Sequence, residues 1–346
     1  MSTMTTGSPA AHHTPSGSKR GPSTMRKVAS LLAIAAGLVL LGSVILNNLF
    51  AVGPAFEDMI DDFRPVLTQE SIDTAKSDVA SLGAVSEEFS GSMAPAVAEQ
   101  LGMTPEEFSA MVSEEFPAVD EGMAAIPEVA TTFDGLLTTL ESQQPLFESA
   151  DAIPTQDLPA TTVPWMMLIA GLLSIGVGIL IWFSAKAGAV LAIVLGAALI
   201  VVPLLLSLPQ KAADADQLNE NLQPVYTQQL VDQANASLAN MGAMGEEMQS
   251  TMMPALAEQL GMAPEELQAF LGDNFPAVAG ALQNLPDTMA RFQSLVTVFD
   301  ENLDNYQTIN DVAFVPIIWT LIGAGGVVLL AGLLALGGKG RKVEST

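Results

Sequence analysis

The sequence predicts an all-α membrane protein: four transmembrane helices carrying two homologous helical extracytoplasmic domains, built as a helix–domain–helix unit used twice. Three observations predict it. Four uncharged apolar segments reach membrane-spanning length. All but one of the 38 acidic residues lie between those segments rather than in the tails, and a long motif recurs 159 residues further along the 346-residue chain.

The apolar segments are 28–47, 164–185, 187–208 and 313–338. A helix needs about 20 apolar residues to cross the hydrocarbon core, and each segment supplies them. Trp165, Trp182 and Trp319 lie near segment ends, where interfacial rings are expected. The resulting division is a disordered cytoplasmic tail 1–27, a first span 28–50, an acidic domain 51–163, spans 164–185 and 187–208, a second acidic domain 209–312, a span 313–338 and a basic tail 339–346.

Charge sets the orientation. Lys19, Arg20, Arg26 and Lys27 precede the first span, Lys186 sits between the second and third, and Lys339, Arg341 and Lys342 follow the fourth. Residues 51–163 carry 22 acidic side chains against Arg64 and Lys76, and residues 209–311 carry 15 against Lys211 and Arg291. Basic residues favour the cytoplasm, so both termini are expected inside and both acidic segments outside. Two extracytoplasmic domains without cysteine fit a bacterial plasma membrane better than a eukaryotic secretory route.

The repeat is legible directly. SMAPAVAEQLGMTPEEF at 92–108 matches TMMPALAEQLGMAPEEL at 251–267 in 12 of 17 positions. The same offset pairs Pro65 with Pro224, Pro127 with Pro286 and Phe133 with Phe292. It also pairs the first span with the third. The third is internal, so the first is expected to be a retained helix rather than a cleaved signal peptide. The spans beginning at Pro164 and Pro316 pair at a shorter offset, which leaves the linker 150–163 about seven residues longer than its counterpart. A longer linker predicts a looser tether in the first half. Parallel repeats of this kind are expected to be related by an axis along the membrane normal.

Each acidic segment reads as about three helices around a small core. Phe56, Met59, Ile60 and Phe63 fall at helical spacing, as do Val119, Met123, Ile126, Phe133, Leu137 and Leu140. Thr104-Pro105-Glu106-Glu107 is a helix start, with Thr104 as N-cap and Glu107 three residues on; Ala263-Pro264-Glu265-Glu266 keeps all but the cap hydroxyl.

Composition excludes much chemistry. There is no cysteine, and His12 and His13 are the only histidines. Disulfides, thiolates, cysteine metal sites and a histidine base in the folded parts are therefore out. No catalytic residue, cofactor or metal site is expected. Met241, Met244, Met248 and Met252 share a helix face and could suit copper(I), but Leu82, Val85, Phe89 and Met93 hold the matching positions, so core packing is the expectation. The acidic runs lack a calcium loop, which leaves at most weak divalent-cation binding. Polar residues kept in both copies are the interaction candidates: Glu99, Gln100, Glu106 and Glu107 with Glu258, Gln259, Glu265 and Glu266. Helix capping is their plainer role. Ala33 and Gly37, repeated as Ala192 and Gly196, are candidates for close helix packing.

No span contains an ionisable residue, which weakens an ion or proton pathway. The expected function is a non-enzymatic accessory or scaffold of the bacterial envelope. Its expected partners are membrane lipids and another envelope membrane protein or complex, with no nucleic acid. The alternative is a transporter or channel subunit with a pathway between the repeats.

Overall fold

The computed structural model describes residues 24–155 and 158–337. Most of the N-terminal tail, with His12, His13, Lys19 and Arg20, and the C-terminal basic residues Lys339, Arg341 and Lys342 lie outside the described residues. The architecture is all-helical. α1 (Thr24–Leu46) leads into α2 (Leu49–Phe63) and α3 (Gln69–Glu88). A π turn, Phe89–Met93, joins α3 to α4 (Ala94–Leu101), and α5 (Pro105–Glu115), α6 (Pro117–Asp151) and α7 (Thr162–Phe183) follow. The second half runs α8 (Ala185–Leu205), α9 (Leu208–Leu222) and α10 (Gln228–Glu247), a π turn Met248–Met252, then α11 (Met253–Leu260), α12 (Pro264–Asn274), α13 (Pro276–Glu301), α14 (Leu303–Asn310) and α15 (Phe314–Gly337).

Local chemistry explains the shared breaks. Pro95 and Pro254 follow the two π turns; proline cannot donate to the preceding turn and crowds its carbonyl, and a π turn absorbs that defect. Gly102 and Gly261 end α4 and α11 with φ of 69° and 66°, the left-handed cap that glycine adopts without a Cβ penalty. Asn48 and Ser207 turn the chain between α1 and α2 and between α8 and α9, also with positive φ. Thr104 accepts from the Glu107 N–H at 3.2 Å while Glu107 accepts from the Thr104 N–H at 2.8 Å, so the expected capping box forms.

α1, α7, α8 and α15 are long and apolar enough to cross a membrane. α1 packs on α7 and α15, and α8 on α15 and α7. Among the described residues, every large exposed apolar side chain apart from Phe50 and Leu158 belongs to these four helices. The rest of the described residues form a polar-surfaced body.

The acidic segments were expected to hold a small core each. Instead they share one core that is continuous with the buried face of the apolar helices. α6 packs on both α3 and α10, and α13 on both α10 and α3. α2 of the first half packs on α14 of the second. The reason lies in α6. Val119, Ile126, Phe133, Leu140 and Phe147 are buried at seven-residue intervals, interleaved with Gly122, Val129, Gln143 and Ala150. A seam of that spacing suits a four-helix bundle, and one acidic segment supplies only two long helices.

Candidate functional site

The sequence-selected residues lie at one end of the body. Glu99, Gln100, Glu106, Glu107, Glu258, Gln259, Glu265 and Glu266 are all exposed. Glu107 is engaged in its capping box, and Glu266 accepts from the Ala263 N–H at 2.9 Å. α4 touches α11, so the two copies of the motif sit side by side. α6, 35 residues long, separates this tip from α7, a distance of about 50 Å at the helical rise.

Below the tip, two glutamates cross between the halves. Glu247 Oε2 accepts from the Val119 N–H at 2.9 Å, and Glu88 Oε2 accepts from the Val278 N–H at 2.8 Å. Val119 and Val278 are the third residues of α6 and α13, whose N-cap positions are Phe116 and Phe275. Phenylalanine has no acceptor for the free N–H groups of a first turn, so the other half supplies one. A carboxylate there also meets the positive end of the helix dipole. Both glutamates escaped the sequence reading, although Glu87-Glu88 and Glu246-Glu247 recur at the 159-residue offset. Phe133 and Phe292, matched by the same offset, face each other with centroids 4.6 Å apart. Asp78 of α3 binds Arg291 of α13 through Nε at 2.7 Å and Nη2 at 2.9 Å, which raises the guanidinium pKa. Within the first half, the Lys76–Glu141 pair raises the lysine and lowers the glutamate.

A second carboxylate pair joins the body to the apolar helices. Asp216 of α9 accepts from the Phe314 and Val315 N–H groups at 2.7 and 3.0 Å, closing the start of α15. Glu57, its counterpart in α2, accepts from the Thr161 N–H at 3.3 Å just before α7. The linker after α6, expected to be a looser tether, is bonded to neighbouring helices at its described start. Arg64 Nη2 donates to Asp151 at 2.7 Å, Lys211 Nζ donates to the Ala152 carbonyl at 2.6 Å, and Lys211 also reaches Pro154. The bond to Asp151 holds the Arg64 pKa above its ordinary value, while burial lowers that of Lys211. At this junction α2, α7, α9 and α15, with the linker before α7, line a partly open apolar cavity of about 80 Å³.

Deeper in the apolar bundle, Ala33 and Ala192 are fully buried. A Cβ on Gly37 would fall 2.6 Å from the Gly171 carbonyl oxygen, and one on Gly196 would fall 2.5 Å from the Leu329 nitrogen. Ser30 and Ser174, buried in the same bundle, donate to the Gly178 and Ala170 carbonyls. At the far end, Arg26 donates to the Ile181 and Trp182 carbonyls at the end of α7.

Met241, Met244, Met248 and Met252 are buried in the shared core. Met244 fills the space beside Gly122 of α6, where a Cβ would come within 2.5 Å of its own Cβ. Among the described residues no three acidic or histidine side chains converge as a metal group.

One protein-family model, described as "Bacterial protein of unknown function (DUF937)", matches residues 84–155 and 242–344. The two stretches begin at nearly equivalent places in the repeat. No curated protein and no solved structure matches the chain.

Proposed function

We propose that this chain, which belongs to the bacterial family DUF937, is a non-enzymatic membrane scaffold. It holds one acidic helical body on the outer face of the plasma membrane and offers the paired tips to an envelope partner complex. The observation that carries this reading is the partition of the surface. Large exposed apolar side chains are confined almost wholly to the four apolar helices, and the body they carry is polar and acidic. Arg26, Lys27 and Lys186 cluster at the opposite end of those helices, which favours that end for the cytoplasm.

The reciprocal Glu88 and Glu247 bonds and the Phe133–Phe292 contact support a tandem duplication with a two-fold axis along the membrane normal. Interfaces of that symmetry are self-complementary: residue i meets j, and j meets i. A duplicated body presents its motif twice on one rigid support. A partner with two basic sites then binds the second with a raised effective concentration. The buried polar side chains of the apolar bundle, Ser30 and Ser174, are spent on helix carbonyls, which favours the scaffold over a polar pathway between the repeats.

The test is photo-crosslinking in living cells from residues placed at Glu106 and Glu265. The scaffold reading expects both positions to capture the same membrane partner, with capture lost when the neighbouring Glu99 and Glu258 are changed to Lys. Absence of any shared partner, together with solute flux through the purified chain in vesicles, would sink it in favour of the pathway.

A further inference from the structure

The cavity at the junction has a lining that is almost wholly apolar, contributed by both halves of the chain. Val52 and Phe56 come from α2, Met167 from α7, Leu208 from α9, and Ile317 and Ile318 from α15. Met166, another wall residue, is 46% exposed on α7, so the wall of this partly open cavity reaches the outer surface of the apolar bundle. Water has little reason to enter a cavity without polar partners. A hydrocarbon chain leaves the bilayer for such a space without losing hydrophobic free energy, and gains the dispersion contacts that an empty wall lacks. The volume, about 80 Å³, takes a few methylene groups of one chain rather than a whole tail.

Beside this cavity stands Lys211. It lies between Leu208 and Ala212, both wall residues, and its bond to the Pro154 carbonyl reaches a third. Arg64, Lys76 and Arg291 each pair with a carboxylate. Lys211 does not, although its own segment carries 15 acidic residues; among the described residues its partners are two carbonyls. An ammonium has three donors, so the group is equipped for an anion from outside the chain. Its counterpart in the first half is Val52, which makes the feature single rather than a product of the repeat.

We infer that this junction is a phospholipid site: one acyl chain enters the apolar cavity, and Lys211 holds an anionic headgroup at its rim. The scaffold reading is not needed for this, since lipid binding is read out without any protein partner. Burial without a counter-charge lowers the Lys211 pKa, and a headgroup phosphate would supply that charge.

The test is native mass spectrometry of the full chain in mild detergent, with phosphatidylglycerol and phosphatidylcholine of identical acyl chains added in equal amounts. The wild-type chain should retain phosphatidylglycerol by about five-fold, the preference one lysine gives to an anionic lipid. Lys211→Gln should bring the two lipids to parity while lipid still binds. Gly53→Leu should displace both. A Cβ at Gly53 meets Pro164 and the Thr161 Cα at an ordinary 3.4 Å, so the backbone accepts the change, and because Gly53 lines the cavity the longer side chain takes up its space. Parity in the wild-type chain, or an unchanged preference in Lys211→Gln, would overturn the assignment. If Gly53→Leu does not fold, the lysine comparison decides alone.

Discussion

Replacing Glu247 with Ala removes the only side-chain acceptor that the described residues place at the first turn of α6, and leaves the N–H of Val119, a residue buried at the contact between the halves, without its partner. An N-cap side chain is worth about 0.5–2 kcal/mol, and a hydrogen bond to a charged group about 1.5–3 kcal/mol. The bond spans two helices rather than neighbouring residues, so part of its strength is offset by ordering the glutamate. The expected loss is about 1–2 kcal/mol for Glu247→Ala, the same for Glu88→Ala, and roughly twice that for the pair. Glu247→Gln keeps an acceptor oxygen and should lose about half as much. The assay is thermal unfolding of the full chain in detergent, followed by helical circular dichroism. A body of this size moves by about 2–4 °C per kcal/mol. Glu246→Ala is the control, because Glu246 is exposed and makes no such bond; surface changes of that kind stay within about 0.5 kcal/mol. Equal midpoints for Glu247→Ala and Glu246→Ala would refute the claim that the halves cap each other.

Other outcomes follow from the same geometry. Asp216→Ala should destabilise the junction by about 1–2 kcal/mol, and Glu57→Ala by less, because Glu57 makes one long bond where Asp216 makes two; chemical unfolding in detergent separates them. Gly196→Leu should cost at least the roughly 1–3 kcal/mol of an overpacked core, since a Cβ there meets backbone atoms of α15 rather than a flexible side chain. The Tyr226 hydroxyl is buried without a hydrogen-bond partner among the described residues, and burial raises its pKa. A raised tyrosine pKa favours the neutral form in the folded state, so its contribution is present below the unfolded value near 10 and is lost as pH rises beyond it. Tyr226→Phe should therefore leave neutral-pH stability unchanged or improve it, and should flatten the alkaline loss seen in unfolding midpoints between pH 9 and about 11.

The apolar helices were legible because composition alone distinguishes them; the spans expected at 164–185 and 187–208 begin within two residues of α7 and α8. The capping box at Thr104 was legible because its partners are three residues apart. The shared core was not. Periodicity shows that Val119, Ile126 and Phe133 face one way, but not whether the helix opposite comes from the same half. The same limit hid Glu88 and Glu247, whose partners lie 190 and 128 residues away. The linker's bonds were hidden for a related reason: length counts the residues in a loop, while Arg64, Lys211 and Glu57 reach its described ends from other helices. The motif residues at the tip stood out because they recur, and recurrence does not separate a cap such as Glu107 from an open contact such as Glu106.

The central claim is an acidic body outside and a basic end inside, and the chain has no cysteine to confuse a thiol label. Single cysteines at Ser90, Ser250 and Ser184, all exposed positions, should be treated in intact cells with a membrane-impermeant maleimide. Labelling is expected at Ser90 and Ser250, with Ser184 reacting only after the membrane is opened. Labelling of Ser184 alone in intact cells would place the body in the cytoplasm and contradict the claim.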